Sequence, residues 1–574
     1  MSSSLPTLDP GARYPRARLR FRLMVMSPLH VGSGEVEPLQ SRLAACPSRE
    51  RCDQLEKALA DAGDYRLMAL KQTDPSGQRR PYIPGPALKG MLRAELSASL
   101  GEADDLVQEL FGVVEAIPEA ERGRDGPSHR RRQGHCRFLD SEAASIADFG
   151  LRRPPLWHEQ RGTLVRSRVS INPITGAARD HHLAFHEMLP AGSTLGFTIE
   201  AREISGAALS ALASRLLAAT AEAPLRIGAG AALGCGELRL LTADNQPSLQ
   251  LEVITAEALL QWLRQPLSPS APEPLSNLYR PMAPVAGAQT GADGAPAVHG
   301  MALEFETQAP LLVASGLDRT ERDKNNQPKP AVWHEDPPQF SPLMSADQHI
   351  IIPAGSLRGL IRARCRRILI VWLRELWTRN PRTRPPVEDT AQTQEAIDDP
   401  AVAANQAGEQ ADRLLPLLFG STHQASPLRI SDALSVQTFK PDQLHHQSFI
   451  AVDRFTGSVA DGALYQAWAT PVGCRFKASI RLRPGAELPD WGLLLLALLA
   501  RDGFAGDLQI GWGKAKGYGR LLLTRVGEYH QANASHEQPL PDRLSALLPD
   551  EHTLYQSLAS DLGVTEPLAE ENSA

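Results

Sequence analysis

Two stretches of the chain, residues 19–26 and 301–305, alternate apolar with polar or charged positions, the period of a strand with one face on a core. After each, a proline-containing turn opens a run with helical spacing, over 86–96 and 356–377. Strands follow at 194–200 and 475–483, then apolar helices at 207–219 and 493–500. A glycine-rich loop and a closing strand, 237–242 or 520–524, end each set. The β-α-β…α-β order predicts an α+β fold with a ferredoxin-like or RRM-like sheet in each half.

The parallel between the halves extends to short motifs in a fixed order. The first half has L-H-V-G-S from Leu29, Y-I-P-G-P-A-L-K-G from Tyr82, L-F-G from Leu110, R-S-R-V-S-I-N-P-I-T-G from Arg166 and I-G-A-G-A-A-L-G-C-G from Ile227. The second has L-V-A-S-G from Leu312, I-P-A-G-S-L-R-G from Ile352, L-F-G from Leu418, A-V-D-R-F-T-G from Ala451 and I-G-W-G-K-A-K-G-Y-G from Ile510. This is an internal duplication: a first domain over 15–264, a Pro/Ser/Ala/Gly-rich linker over 265–299 and a second domain over 300–526. The second copy carries an acidic insert at 385–412, and an acidic tail fills 527–574. The first copy has a longer front loop and an Arg-rich expansion over 121–168.

Composition sharpens this picture. A chain of 574 residues exceeds a single core. Its net charge of −6 does not at first suit a nucleic-acid binder. The insert, however, holds seven acids and no Lys or Arg, and the tail holds nine acids against Arg543 alone. Both segments are expected to be mobile, and without them the remainder is net positive. Aromatic residues make up only 5%, which argues against binding built mainly on stacking platforms. The basic N-terminus is followed by an apolar run of only 23–26, so no targeting segment is expected. Apolar stretches 368–373 and 493–500 fall well short of the roughly 20 residues of a membrane span. Six scattered cysteines without a framework suit a reducing cytoplasm.

Three motif classes carry candidate chemistry. The glycine loops, through Gly228 and Gly230 or Gly511 and Gly513, free the backbone to approach an anion and present successive N–H groups. Lys514 and Lys516 add charge to the second loop, whereas Ala231 and Ala232 leave the first to its backbone. Lys89 and Arg93, and Arg358, Arg362 and Arg366, are spaced i,i+4 along one helix face, with Ser356 at the start of the second helix. A helix N-terminus with a cationic stripe suits a phosphodiester backbone. The hairpins bearing Arg166 and Arg168, or Arg454, can wedge apolar residues between bases. Taken singly, these motifs also read as a tight turn, a solvated basic helix face and a plain surface hairpin. Their repetition favours RNA.

In combination these motifs resemble the Cas-seven-like RAMP subunits of type III CRISPR effector complexes, over both halves of the chain. The resemblance implies two tandem modified RRM domains with protruding β-hairpin thumbs, the thumbs lying at 169–175 and 452–456. Fused double copies resemble the backbone proteins of the III-D branch. The implied function is to hold a guide RNA (crRNA) against a complementary target RNA. The implied partners are the large polymerase-like subunit, other RAMP subunits and small subunits, with no membrane. In this family a front-loop aspartate makes the subunit an endoribonuclease on target RNA, the target's 2′-hydroxyl attacking the neighbouring phosphate with a divalent cation such as Mg2+. The nearest positions here are Asp336 and Asp64, with Asp318 and Asp323 as alternatives, although any one of them also reads as a solvated loop acid. Cys46, Cys52, His135 and Cys136 could bind zinc, but their spacing is loose and free thiols are the better reading. An inert guide-binding scaffold is the first alternative. A guide-processing endoribonuclease is the second, and two complete motif sets argue against it.

Overall fold

The computed structural model describes residues 5–38, 65–116, 129–146, 162–264, 274–283, 300–314, 340–379 and 400–528, with Arg384 and Asp561, apart from short internal gaps. Its organising element is the strand Arg13–Val25, in which Tyr14, Ala17, Leu19, Phe21, Leu23 and Val25 are buried while Arg18, Arg20 and Arg22 alternate outward. Thr194–Ser205 pairs antiparallel along its length. On its other edge Glu237–Leu240 takes one end and Leu249–Ile254 the other. The path of this sheet runs Leu225–Arg226, Glu237–Leu240, Arg13–Val25, Thr194–Ser205, Cys136–Phe138.

The second copy repeats that order as Leu508–Gln509, Arg520–Glu528, Gly300–Thr307, Arg475–Leu482, with Leu428–Ile430 on the outer edge of the last strand. It adds Ala433–Thr438 and His349–Ile352 beyond. Helices complete each core. In the first copy α1 (Gly85–Leu100) buries Leu88, Leu92 and Leu96, and α2 (Gly206–Leu217) buries Leu209, Leu212 and Leu216 in the same cluster. In the second, α3 (Ala354–Arg379), α4 (Pro400–Leu414) and α5 (Asp490–Phe504) share one core. The fold is therefore mixed α+β in two repeated units. Among the described residues no helix is long and apolar enough to cross a membrane.

Several details differ from the expectations. Part of the acidic insert is a helix, not a mobile segment: α4 buries Ala407 and Ala411 against the second core, and Asp412 accepts from Nε and Nη2 of Arg366, at 3.0 and 2.9 Å. Its small apolar positions at i and i+4 make an apolar face that acid counting overlooks. Within the expected linker, Arg280–Met282 adds an edge strand to Leu249–Ile254. The Arg-rich expansion includes a hairpin, His129–Gln133 on Gly112–Ala116. The front motifs also align one residue out of register. Leu29 bridges Leu189 as Leu311 bridges Thr470, so His30, not Leu29, is the counterpart of Leu312. The remaining insert, most of the linker and, apart from Gly527, Glu528 and Asp561, the expected tail lie outside the described residues.

Candidate nucleic-acid interface

The two glycine loops share one backbone. Gly228 and Gly511 have φ of +86° and +88°, and a Cβ on either would stand 2.4 Å from a carbonyl oxygen, that of His30 or Leu312. Each loop then makes a short 3-10 turn, Ala231–Leu233 or Lys514–Lys516. Their surroundings differ. A Cβ on Gly234 would meet the Ala354 Cβ at 2.7 Å and the Ile430 oxygen at 2.9 Å, both in the second copy, whereas around its counterpart Gly517 nothing lies within 4 Å. The first loop is thus a plug seated on the start of α3, and the second is open. Gly230 lies against Arg168, and Gly513 against Tyr518.

The cations of the candidate interface follow the same division. Arg166 Nη2 reaches Asp432 Oδ2 in the second copy at 3.1 Å, and Asp432 Oδ1 accepts the Ala354 N–H at 2.8 Å. Arg168 donates to the Cys235 sulfur at 3.2 Å. Arg358 spans the junction, donating to the Ala232 oxygen at 3.2 Å, to Ser426 Oγ at 3.3 Å and to the Phe419 oxygen. Burial, with Arg362 beside it, pushes the Arg358 guanidinium down to about 10. Arg93 pairs with Glu102, while Lys89 and Arg362 are half-buried. Ser356 lies in the first turn of α3, its N–H donating to the Pro353 oxygen at 2.9 Å. Lys514 and Lys516 are exposed, and Lys516 Nζ stands 4.7 Å from the Phe449 ring and 4.8 Å from that of Trp512.

The hairpins form sheets separate from the two main sheets. Leu164–Ile171 and Ala178–Met188 pair in the first copy, joined by Tyr65–Ala69 and Gly32–Pro38 into a four-stranded sheet. His445–Phe449 and Tyr465–Ala469 pair in the second. Val169 and Ile171 are exposed on the first, and Ile450 and Val452 on the second. Beside Arg454, Phe455 is 100% exposed. Its turn is held from within, because Asp453 Oδ1 accepts the N–H groups of Phe455 at 2.7 Å and Thr456 at 3.0 Å. Those backbone bonds hold the Asp453 carboxyl below the usual range.

Two features escaped the reading of the sequence. The first is Asp140 with Asp432. Asp140 Oδ1 accepts the Gly85 N–H at 2.7 Å just as Asp432 Oδ1 accepts that of Ala354, so each aspartate satisfies the N-terminus of its copy's first helix. The shared spelling R-[FI]-x-D, from Arg137 and from Arg429, was the available signal. The second is a buried cluster in the first copy. Glu187 receives Lys71 Nζ at 2.5 Å, the Ala69 N–H at 2.9 Å and the Thr163 hydroxyl at 2.7 Å. Burial alone would raise this carboxyl, but those bonds outweigh it and hold it low. Beside it His186 meets His30 edge-on at 5.3 Å, and burial with Arg168 and His30 nearby pushes His186 down to about 4.

Asp64, Asp336, Asp318 and Asp323 lie outside the described residues, as do Cys46 and Cys52. Cys136 is buried, which pushes its thiol up to about 12, and His135 Nδ1 lies 2.9 Å from the Arg202 oxygen. Residues 22–239 and 304–522 each match the RAMP superfamily, together more than half of the chain. Comparison with curated proteins finds no match.

Proposed function

The chain belongs to the RAMP superfamily, whose members are generally associated with CRISPR RNA binding, and from that premise we propose that it holds a guide RNA as a fused double backbone subunit of a type III effector complex. The observation that carries this reading is the pair of hairpins with exposed apolar tips, above all Phe455 held out in full contact with solvent. An aromatic ring carried on a turn held in that way can insert between bases without the turn first being ordered. The exposed Lys514, Lys516 and Arg454 supply charge for phosphates on the same copy. The strand order supports a ferredoxin-like reading of each unit. Numbering the four core strands along the chain, the fourth lies beside the first, then the third, then the second, with a helix after the first and after the third.

In this reading the complex also contains a polymerase-like large subunit and further RAMP and small subunits. Asp336 and Asp64 cut the bound target with a divalent cation. Co-purification tests the first part: the full chain should carry guide-length RNA, and its absence from a complex purified intact would sink the reading. A cleavage gel on complementary RNA tests the second. The Asp64→Ala, Asp336→Ala double variant should keep the guide and lose cutting, and unchanged cutting would remove both residues from the mechanism.

A further inference from the structure

The junction between the copies buries more positive charge than it neutralises. In the second copy, Leu428–Ile430 and Arg475–Leu482 set Arg429 directly opposite Arg481, a like-charge pair that an antiparallel ladder disfavours. Arg226 of the first copy joins them. Arg226 and Arg481 both donate to Oε1 of Glu237, Arg481 at 2.7 Å. The second acid is Glu95 on α1. Its Oε2 already receives Arg215 at 2.7 Å, and its Oε1 stands 4.0 Å from Arg429. Arg215, Arg226, Arg429 and Arg481 are thus set against Glu95 and Glu237, and two positive charges are left over.

Water does little to screen that excess. The Arg226 side chain is 2% exposed and that of Arg481 7%. Burial, with Arg481 and Arg429 nearby, outweighs Glu237 and pushes the Arg226 guanidinium down to about 10. Burial, with Arg483 and Arg481 nearby, likewise pushes Arg429 down against the pull of Glu95 and Glu237. Arg429 is also the group with donors to spare. It meets Glu95 only at 4.0 Å, and among the described residues its guanidinium donates no hydrogen bond. Its side chain is 19% exposed, which leaves an entrance from solvent.

We infer that the junction takes up a small doubly charged oxyanion of the phosphate class on Arg429, beside Arg481 and Arg226. Buried charge is costly unless a counter-charge accompanies it, and this ion brings the cluster to neutrality. The guanidinium fork matches an oxyanion two bonds at a time. An ion held there touches arginines of both copies and so fastens one to the other. The site shares no residue with Lys514, Lys516 and Arg454, the exposed cations of the guide-RNA reading. The inference goes beyond that reading and is tested without RNA.

The nuclease-treated full chain is melted in chloride and in inorganic phosphate, matched for ionic strength and pH. The wild type should melt higher in phosphate, with a gain that saturates as phosphate rises. By titration calorimetry Arg429→Gln should weaken phosphate binding at least about tenfold. In chloride the same variant should melt no lower than the wild type, because it removes a charge that the fold leaves unbalanced. A merely structural arginine would lower the melt in both buffers. Should Arg429→Gln fail to fold, Arg429→Lys keeps the charge without the fork and should also bind phosphate more weakly. A nucleoside 5′-monophosphate separates the sources: binding as tight as that of phosphate points to a phosphate ester, and binding of inorganic phosphate alone to the free ion. A wild type that melts alike in both buffers overturns the inference. So does a phosphate gain that Arg429→Gln shares in full.

Discussion

Where the first copy buries Glu187, the second buries Trp468. The two occupy one position, fixed by the matching bridges at Leu189 and Thr470. In the first copy the hairpin is tied to the front segment by a carboxylate that collects Lys71, Ala69 and Thr163. In the second, Trp468 stacks on His446 with ring centroids 4.4 Å apart, and its backbone N–H donates to the Phe340 oxygen at 2.9 Å. A second exchange lies between the helices. Glu95 on α1 pairs with Arg215 on α2, while Arg364, its counterpart on α3, pairs with Asp502 on α5. The signs are reversed and the crossing is kept. The backbone constrains where an interaction sits far more tightly than which chemistry supplies it. Duplication has let each copy solve the same contact separately.

The buried carboxylate offers the sharpest break in that comparison. Glu187→Ala strands the Lys71 ammonium in a site where its side chain is only 3% exposed, and should cost about 3–5 kcal/mol in denaturant unfolding. The paired change Lys71→Met with Glu187→Leu should recover most of that loss, because an apolar filling of similar size replaces the ion pair. If the pair is as damaged as the single variant, the second copy's apolar solution does not transfer.

The glycine loops give the next largest contrast. Gly234→Val and Gly517→Val both force a branched residue into the left-handed region, at about 1–2 kcal/mol each. Only Gly234→Val also drives a side chain into Ala354 and Ile430, adding about 1–3 kcal/mol of overpacking. Equal melting temperatures for the two variants would mean that the first loop is not seated as described.

Phe455→Ala should weaken RNA binding by about 1–3 kcal/mol, roughly fivefold to 150-fold in Kd by filter binding. Val169→Ala, on the less exposed hairpin, should cost less. A reversed order would move the principal wedge to the first copy.

The last contrast is the pH dependence that His186 brings to the first copy. With His186 pushed down to about 4 in the folded chain from 6.5, the unfolded chain binds more protons between those values. Stability should therefore fall as pH drops from 6.5 toward 4. Protonation of the depressed Glu187 carboxylate then removes more below the ordinary carboxylate range. His186→Ala, which installs the residue found at Ala467 in the second copy, should flatten the upper part of that profile in thermal melts.

Much of this was legible because the repeat reports on itself. The alternation around Leu19 and Phe21, the i,i+4 spacing after Pro84 and Pro353 and the paired glycine motifs located the sheets, the helices and the glycine loops. What stayed hidden depends mostly on contacts between residues distant in sequence. Arg166, Arg168 and Arg358 read as RNA ligands because cations on repeated elements resemble a phosphate track, and no local pattern shows that Asp432, the Cys235 sulfur or the Ala232 oxygen already engages them. Glu187 escaped because a lone acid in a strand has no period. The α4 helix escaped because its charge was counted without its apolar face.

Asp432 serves two masters with its two oxygens, capping α3 of its own copy and holding the hairpin arginine of the other. The halves are therefore not interchangeable spare parts. A chain cut at the linker would leave Arg166 without its acceptor and the Gly234 plug without its seat, so heat should melt the fusion as one cooperative body, in a single transition.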